Sequence, residues 1–141
     1  TWDVRKVANF EGMFAQASEL YSLDLRGWRY QYTATNVDMS HMMANTQKLT
    51  TVLLNNFNPK QVVNTSNMFA YSGVTKLDLS NWNTTDVTNC SYMFTGATNL
   101  WQLTLGSDTR LTGTPEVPEA PTIGTIISDG TQTYKTTEAS W

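Results

Sequence analysis

Residues 82–105 read WNTTDVTNCSYMFTGATNLWQLTL, and this stretch decides the fold because the chain repeats its pattern. Residues 57–79 read FNPKQVVNTSNMFAYSGVTKLDL, with an aromatic start, a valine, a Met-Phe pair and a leucine-rich end at matching positions. Two further copies precede them, and the copies start at Trp2, Trp28, Phe57 and Trp82, so the internal period is about 25–29 residues. A period of this length is typical of proteins that stack one small unit on the next.

Each copy ends in L-x-x-L-x-L or a close variant. Residues 20–25 (LYSLDL) and 100–105 (LWQLTL) fit this pattern fully, and residues 49–54 (LTTVLL) and 74–79 (VTKLDL) each contain one valine in place of a leucine. The last apolar residues alternate with period two, which places them on one face of a β-strand. We therefore predict a short strand in every copy.

The first half of each copy follows another rhythm. From Val7 to Leu20 the apolar positions recur mostly in steps of three, which is typical of one helical face or of successive short helical turns. Neither half of a copy can bury its apolar stripe alone, so we expect the copies to stack. The predicted class is α/β: a leucine-rich-repeat solenoid of about four repeats over residues 1–106, with short parallel strands on one face and short helical segments on the other.

Residues 107–141 do not continue the pattern. They contain a proline-rich extended stretch, and Asp129-Gly130 lies between two β-prone runs, which predicts a β-hairpin. We expect a cap or a linker here, because stacked strands leave an unpaired edge at each end. Within the repeats, surplus residues of the second copy predict a loop over 29–34, and Gly73 is expected to absorb a shorter turn in the third copy.

Composition and charge exclude several functional classes. Nine Lys and Arg face twelve Asp and Glu among 141 residues, a net charge of −3, so the chain lacks the basic face that nucleic acids require. No apolar run approaches the roughly 20 residues of a membrane-spanning helix, and we expect no membrane insertion by this segment. Cys90 is the only cysteine, which excludes an intrachain disulfide framework and a cysteine-rich zinc site.

Candidate catalytic and metal-binding groups are sparse, and we predict neither an enzyme nor a cofactor. His41, the only histidine, stands where other copies carry Gly12, Asn67 and Tyr92, and is expected to be a solvent-facing spacer. Cys90 occupies an apolar column and is expected to be a buried small hydrophobe, not a reactive thiol. The acidic residues are spread along the copies and do not form the clustered loop of a calcium site.

The aromatic starts of the copies form a column that could be either core or a row of sugar-stacking rings. Each later member follows the last strand leucine by three residues, a fixed register that favours stacking on neighbouring copies. Because aromatic side chains dominate core energetics, we predict that this column is buried. The column consists of Trp2, Trp28, Phe57 and Trp82.

The outward face of the strands is the predicted recognition surface. Tyr21 and Trp101 precede it as exposed anchors of the kind that is enriched in binding hot spots. An ordinary solvated sheet face is the alternative interpretation. The candidate ligand-binding residues are Tyr21, Ser22, Asp24, Arg26, Thr51, Asn55, Lys76, Asp78, Ser80, Trp101, Gln102 and Thr104.

The repeat resembles the BspA-like leucine-rich repeats of bacterial surface proteins. The aromatic start, the valine, the Met-Phe pair and L-x-x-L-x-L recur in this order over about residues 2–106, although the second copy carries Met43 in place of Phe. The form is similar to that of Gram-positive gut bacteria and mycoplasma lipoproteins. The resemblance implies an extracellular adhesin at the bacterial cell surface or cell wall that binds host surface or matrix glycoproteins, mucin or glycans. The alternative is a structural spacer that presents another domain.

Overall fold

The structure, a computed structural model, describes residues 2–28, 35–54 and 61–118 and two further strands at 126–128 and 133–135. One sheet has six strands in the order β1-β3-β5-β6-β7-β8, and a second sheet pairs β2 with β4. The strands are β1 (Ser22–Asp24), β2 (Val37–Asp38), β3 (Thr51–Leu53), β4 (Val62–Asn64), β5 (Lys76–Leu79), β6 (Gln102–Leu105), β7 (Ile126–Ser128) and β8 (Thr133–Lys135).

The leucine-rich ends of the copies form the parallel strands that the sequence predicts. In the pairing of β1 with β3, Leu23 lies beside Val52. In the pairing of β5 with β6, Leu77 lies beside Leu103. β3 and β5 are also parallel, so all four copies contribute to one sheet. β7 adds in parallel to β6, and β8 pairs antiparallel with β7, as a hairpin requires; Asp129-Gly130 lies outside the described residues.

A second set of parallel pairs joins the copies where their turns begin. β2 pairs with β4, and the register shifts by one residue between Val37 and Asp38. Single bridges from Asn9 to Asp38 and from Asn64 to Asn89 extend this ladder over all four copies. The loop predicted over residues 29–34 lies outside the described residues.

The predicted helical segments, and with them the α part of the α/β class, are wrong for the residues that the structure describes. The stretches with three-residue apolar spacing are chains of tight turns. In the first copy the amide of Met13 donates to the Phe10 carbonyl at 3.1 Å, closing a turn, whereas the next amide, of Phe14, donates to Met42 of the second copy at 2.8 Å. Because every second amide donates to the neighbouring copy, the continuous series of N–H(i) to O=C(i−4) hydrogen bonds of an α-helix cannot form.

These turns contain residues with positive φ at two positions of the repeat, so that such residues form two columns across the copies. Left-handed backbone interrupts a right-handed helix and is adopted most readily by Gly and Asn, which occupy half of the positions. Periodicity alone could not separate such turns from a helix, because both bring an apolar residue inward at every third or fourth position. The columns are Gly12, His41, Asn67 and Tyr92 (φ 61°, 56°, 56° and 60°), and Gln16, Asn45, Tyr71 and Gly96 (φ 61°, 60°, 54° and 65°).

The core lies between the strands and the turns. Met68, Phe69, Met93 and Phe94 are buried, and the rings of the two phenylalanines stack with centroids 5.9 Å apart. The Met-Phe pairs of the third and fourth copies therefore pack on each other.

The aromatic column is buried only in part. Trp28 and Trp82 are buried as predicted, and Phe57 lies outside the described residues. Trp2 is 59% exposed, so its predicted burial is wrong. Its ring stacks on Trp28 and Phe14, with centroids 6.0 and 6.3 Å away.

Gly73 allows two copies to approach closely. Its φ is not positive, and its amide donates to the Thr46 carbonyl of the preceding copy at 3.0 Å. A Cβ at this position would collide with the carbonyl oxygen of Gln47. The shorter turn predicted at Gly73 is thus accommodated by the missing side chain and not by a left-handed backbone.

The turns continue past the fourth copy. The amides of Cys90, Tyr92 and Phe94 donate to the carbonyls of Thr112, Thr114 and Pro115 at 3.2, 2.7 and 3.0 Å. Leu111 and Val117 pack against the core from this segment. Proline has no amide hydrogen, so Pro115 accepts from the fourth copy and cannot donate onward.

A column of Asn and Asp side chains caps the start of the turns. Asp38 Oδ1 accepts from the amide of Ser40 at 2.7 Å, Asn64 Oδ1 accepts from Ser66 at 3.0 Å, and Asn64 Nδ2 donates to Asp38 Oδ2 at 3.2 Å. Burial alone would raise the pKa of Asp38, but hydrogen bonds from Ser40 and Asn64, together with nearby His41, lower this pKa below its ordinary value. Asn9 and Asn89 make the same turn as the other two members.

Replacement of Asp38 should reduce the pH dependence of stability. A lowered folded-state pKa means that the ionised carboxylate stabilises the fold above its unfolded pKa of about 4, and that this contribution is lost as the pH falls. Asp38→Asn keeps the turn acceptor, as its column neighbours show, but does not titrate. We expect the unfolding free energy of this variant, measured in urea, to fall less than that of the unmodified chain between about pH 5 and pH 2.5.

Asn64→Ala serves as the intermediate case, because it removes one hydrogen bond to the Asp38 carboxylate and leaves the carboxylate in place. Its pH slope should lie between the other two. Equal slopes for the unmodified chain and Asp38→Asn would contradict the interpretation.

Methionines of the same column should differ in their contribution to stability. Met68 is buried, whereas Met13 is 42% exposed in the first copy. Met68→Ala leaves a cavity and should cost about 2–5 kcal/mol of unfolding free energy in chemical denaturation. Met13→Ala, the matched control, should cost at most about 1 kcal/mol, and similar losses for both variants would contradict the assignment of the core.

Candidate functional site

The strands bring most of the predicted binding residues onto one surface. Ser22 pairs with Thr51, Thr51 with Lys76, and Lys76 with Gln102, so these four form a row across the sheet. In the next outward row, Asp24 and Asp78 pair with Leu53 and Thr104, respectively, and Asn55 lies outside the described residues. We call this surface the sheet face; it comprises Tyr21, Ser22, Asp24, Arg26, Thr51, Lys76, Asp78, Ser80, Trp101, Gln102 and Thr104.

Two aromatic anchors of the sheet face each lie near a lysine of a neighbouring copy. Lys76 Nζ is 4.3 Å from the centroid of the Trp101 ring, and Lys48 Nζ is 5.6 Å from that of Tyr21. Both distances are within the range of a cation–π interaction. Lys48, which also binds the Glu19 carboxylate at 2.7 Å, was not among the predicted residues, because it stands before the strand and outside the alternating pattern.

Asp24 and Arg26 form a bidentate ion pair at the edge of the sheet face. Arg26 Nε donates to Asp24 Oδ1 at 3.0 Å, and Nη2 donates to Oδ2 at 2.8 Å. The side-chain hydrogen bond from Arg26, followed by the bond from its backbone amide, lowers the pKa of Asp24 to about 2. Asp24 is therefore an ionised acceptor at any physiological pH.

The residues considered for catalysis lie apart from the sheet face. His41 is exposed on a left-handed turn, and Cys90 is buried, which are the environments that the sequence predicts. The Cys90 thiol lies 3.7 Å from the hydroxyl of Thr112. Among the described residues, no three His, Cys, Asp or Glu side chains gather as a metal site would require. The same part of the chain contains no helix with the length and apolarity to cross a bilayer.

A cavity of about 360 Å³ opens beside the first copy and was not predicted from the sequence. Its lining is mainly aromatic and aliphatic, and Asp24 connects it to the sheet face. No sequence pattern indicated this cavity, because its walls come from separate turns and strands of the first copy. The lining residues are Trp2, Phe14, Leu23, Asp24, Leu25, Gly27 and Trp28.

Two exposed aromatic residues on the turns were also missed. Tyr71 and Tyr92 are 53% and 49% exposed and have positive φ. A signal was present in the sequence, since both stand in columns where other copies carry Gly, Asn, Gln or His. Tyrosine is uncommon at positive φ, which distinguishes both positions from most of the chain.

Comparison with known proteins places the chain in a family. No curated protein and no solved structure matches it. The family model described as "Mycoplasma protein of unknown function, DUF285" matches residues 1–37 and, a second time, residues 30–109. Two consecutive matches agree with the internal repetition, and together they span well over half of the sequence. The chain therefore belongs to the DUF285 family of Mycoplasma proteins of unknown function.

Proposed function

We propose that this chain is part of a BspA-like leucine-rich-repeat solenoid and serves as the non-catalytic recognition module of an extracellular adhesin at the bacterial cell surface or cell wall. Its ligands in this proposal are host surface or matrix glycoproteins, mucin or glycans. Membership in DUF285 and the parallel register of the repeats support the architecture. The observation that carries the function is the sheet face, where Trp101 and Tyr21 stay exposed beside lysines.

The chemistry of the sheet face suits a glycan. An aromatic ring offers an apolar plane to the C–H face of a sugar, and the lysine beside each ring offers a donor to hydroxyl or carboxylate groups. Asp24 and Asp78 add acceptors for sugar hydroxyls. The surface is smaller than the roughly 20–30 residues per side of a standard protein interface, so a short glycan matches it in size.

Truncation of Trp101 should separate binding from folding. We expect Trp101→Ala to reduce retention on immobilised mucin, fibronectin or fibrinogen by about tenfold or more, which corresponds to loss of a hot spot of about 1.4 kcal/mol. The thermal midpoint of unfolding should change little, because Trp101 lies on the surface. Met13→Ala, an exposed apolar residue of the turns, is the control and should leave retention unchanged.

Absence of retention of the folded chain on all three ligands would contradict recognition and favour a structural spacer. One observation favours the spacer as a second candidate: backbone hydrogen bonds join neighbouring copies in the sheet, at the Asn/Asp column and along the turns, which makes the stack stiff. Binding that persists in Trp101→Ala, but depends on another surface, would contradict only the assignment to the sheet face.

A further inference from the structure

Tyr71 and Tyr92 lie on two adjacent turns of the third and fourth copies. The amide of Asn67 donates to the Ser91 carbonyl at 3.0 Å, which sets Asn67 beside Tyr92. The amide of Tyr71 donates to the Thr95 carbonyl at 2.7 Å, which sets Tyr71 beside Gly96. The four residues with positive φ, which are Asn67, Tyr71, Tyr92 and Gly96, thus mark the corners of one surface that we call the turn face, with the tyrosines on a diagonal.

The backbone does not account for tyrosine at these positions. A side chain with a bulky Cβ substituent is disfavoured in the left-handed region, where Gly and Asn are readily accommodated. The same chain holds Asn45 and Gly96 in the column of Tyr71, and Gly12 and Asn67 in the column of Tyr92. Burial in the core does not account for the tyrosines either, because each is about half exposed. Tyrosine thus stands at two positions where the backbone conformation favours glycine or asparagine and the core does not require a large ring.

The ring of Tyr71 has a fixed support. It lies over Gly96, and a Cβ at that position would collide with ring atoms Cδ1 and Cε1. Glycine at position 96 therefore leaves the space in which the ring rests against the backbone of the next copy. A ring supported in this way presents an exposed aromatic surface with little conformational entropy left to lose on binding.

We propose that Tyr71 and Tyr92 form a second binding site, a stacking platform for uncharged sugar rings of a glycan. The site rests on the proposed glycan recognition and adds a surface distinct from the sheet face. Tyrosine combines an apolar ring that stacks on sugar C–H groups with a hydroxyl that bonds sugar hydroxyls. Thr95 donates its hydroxyl to Glu116, which brings a carboxylate to the border of the turn face and disfavours acidic sugars.

The test uses soluble oligosaccharides of known charge. Saturation-transfer NMR with the full chain compares neutral triacetylchitotriose with acidic 3′-sialyllactose. We expect transfer to the neutral sugar on irradiation of tyrosine ring protons. The double variant Tyr71→Asn/Tyr92→Asn should lose this transfer by about tenfold or more, and Tyr71→Phe/Tyr92→Phe should keep most of it because stacking survives.

Asparagine is a matched replacement, since Asn45 and Asn67 occupy the same columns with φ of 60° and 56°. The Asn double variant should fold with an equal or higher thermal midpoint, so that loss of binding is not loss of structure. The same comparison in a Tyr21→Ala/Trp101→Ala background, which removes both exposed rings of the sheet face, separates the turn face from the sheet face.

Several outcomes would overturn the site. Unchanged transfer to triacetylchitotriose when Tyr71→Asn/Tyr92→Asn is added to the folded Tyr21→Ala/Trp101→Ala variant would do so. So would a preference for 3′-sialyllactose, or absence of transfer to the neutral sugar in the unmodified chain. None of these results decides whether the sheet face retains mucin, because that measurement depends on Trp101. Failure of the turn face is therefore distinguishable from failure of the proposed function.

Discussion

Alternate backbone amides that donate from one copy of the repeat to the next are the constraint on which the rest of the structure depends. In the turns of the first copy, the amides of Gly12, Phe14 and Gln16 reach carbonyls of the second copy at 2.8–3.0 Å, while the amides between them close turns within the copy. This arrangement holds neighbouring copies at about the spacing of paired strands, roughly 4.8 Å, along the turns as well as in the sheet. It also requires residues with positive φ at fixed positions.

This spacing determines where side chains can act. Equivalent residues of successive copies lie side by side, so a single position in the repeat becomes a column on the surface or in the core. The Met-Phe pairs of the third and fourth copies are buried, and Phe69 stacks on Phe94. The Asn and Asp column caps the turns through its side-chain oxygens. The lysines of one copy reach the aromatic rings of another for the same reason.

Three exposed aromatic residues depart from what the repeat requires of its core and its turns. The core columns accept only apolar or small residues, and the left-handed columns favour Gly and Asn. Tyr71, Tyr92 and Trp101 satisfy neither requirement, and each remains exposed by 40–53%. Such positions lie outside the constraints of the stack, so side chains can vary there with little effect on stability.

The sequence by itself determined the repeat, the parallel strands and the outward row of the sheet face, because alternation with period two has one structural solution when one face is buried. It did not determine the form of the turns, because three-residue apolar spacing satisfies a helix and a chain of turns equally well. Only the tertiary structure decided between them. The amides of Phe14 and its counterparts donate to carbonyls of the adjacent copy, 24–28 positions away in the chain. A local sequence pattern cannot indicate a hydrogen bond between residues so far apart. For the same reason, the exposure of Trp2 and the position of the Tyr71 ring over Gly96 followed from which copies are neighbours.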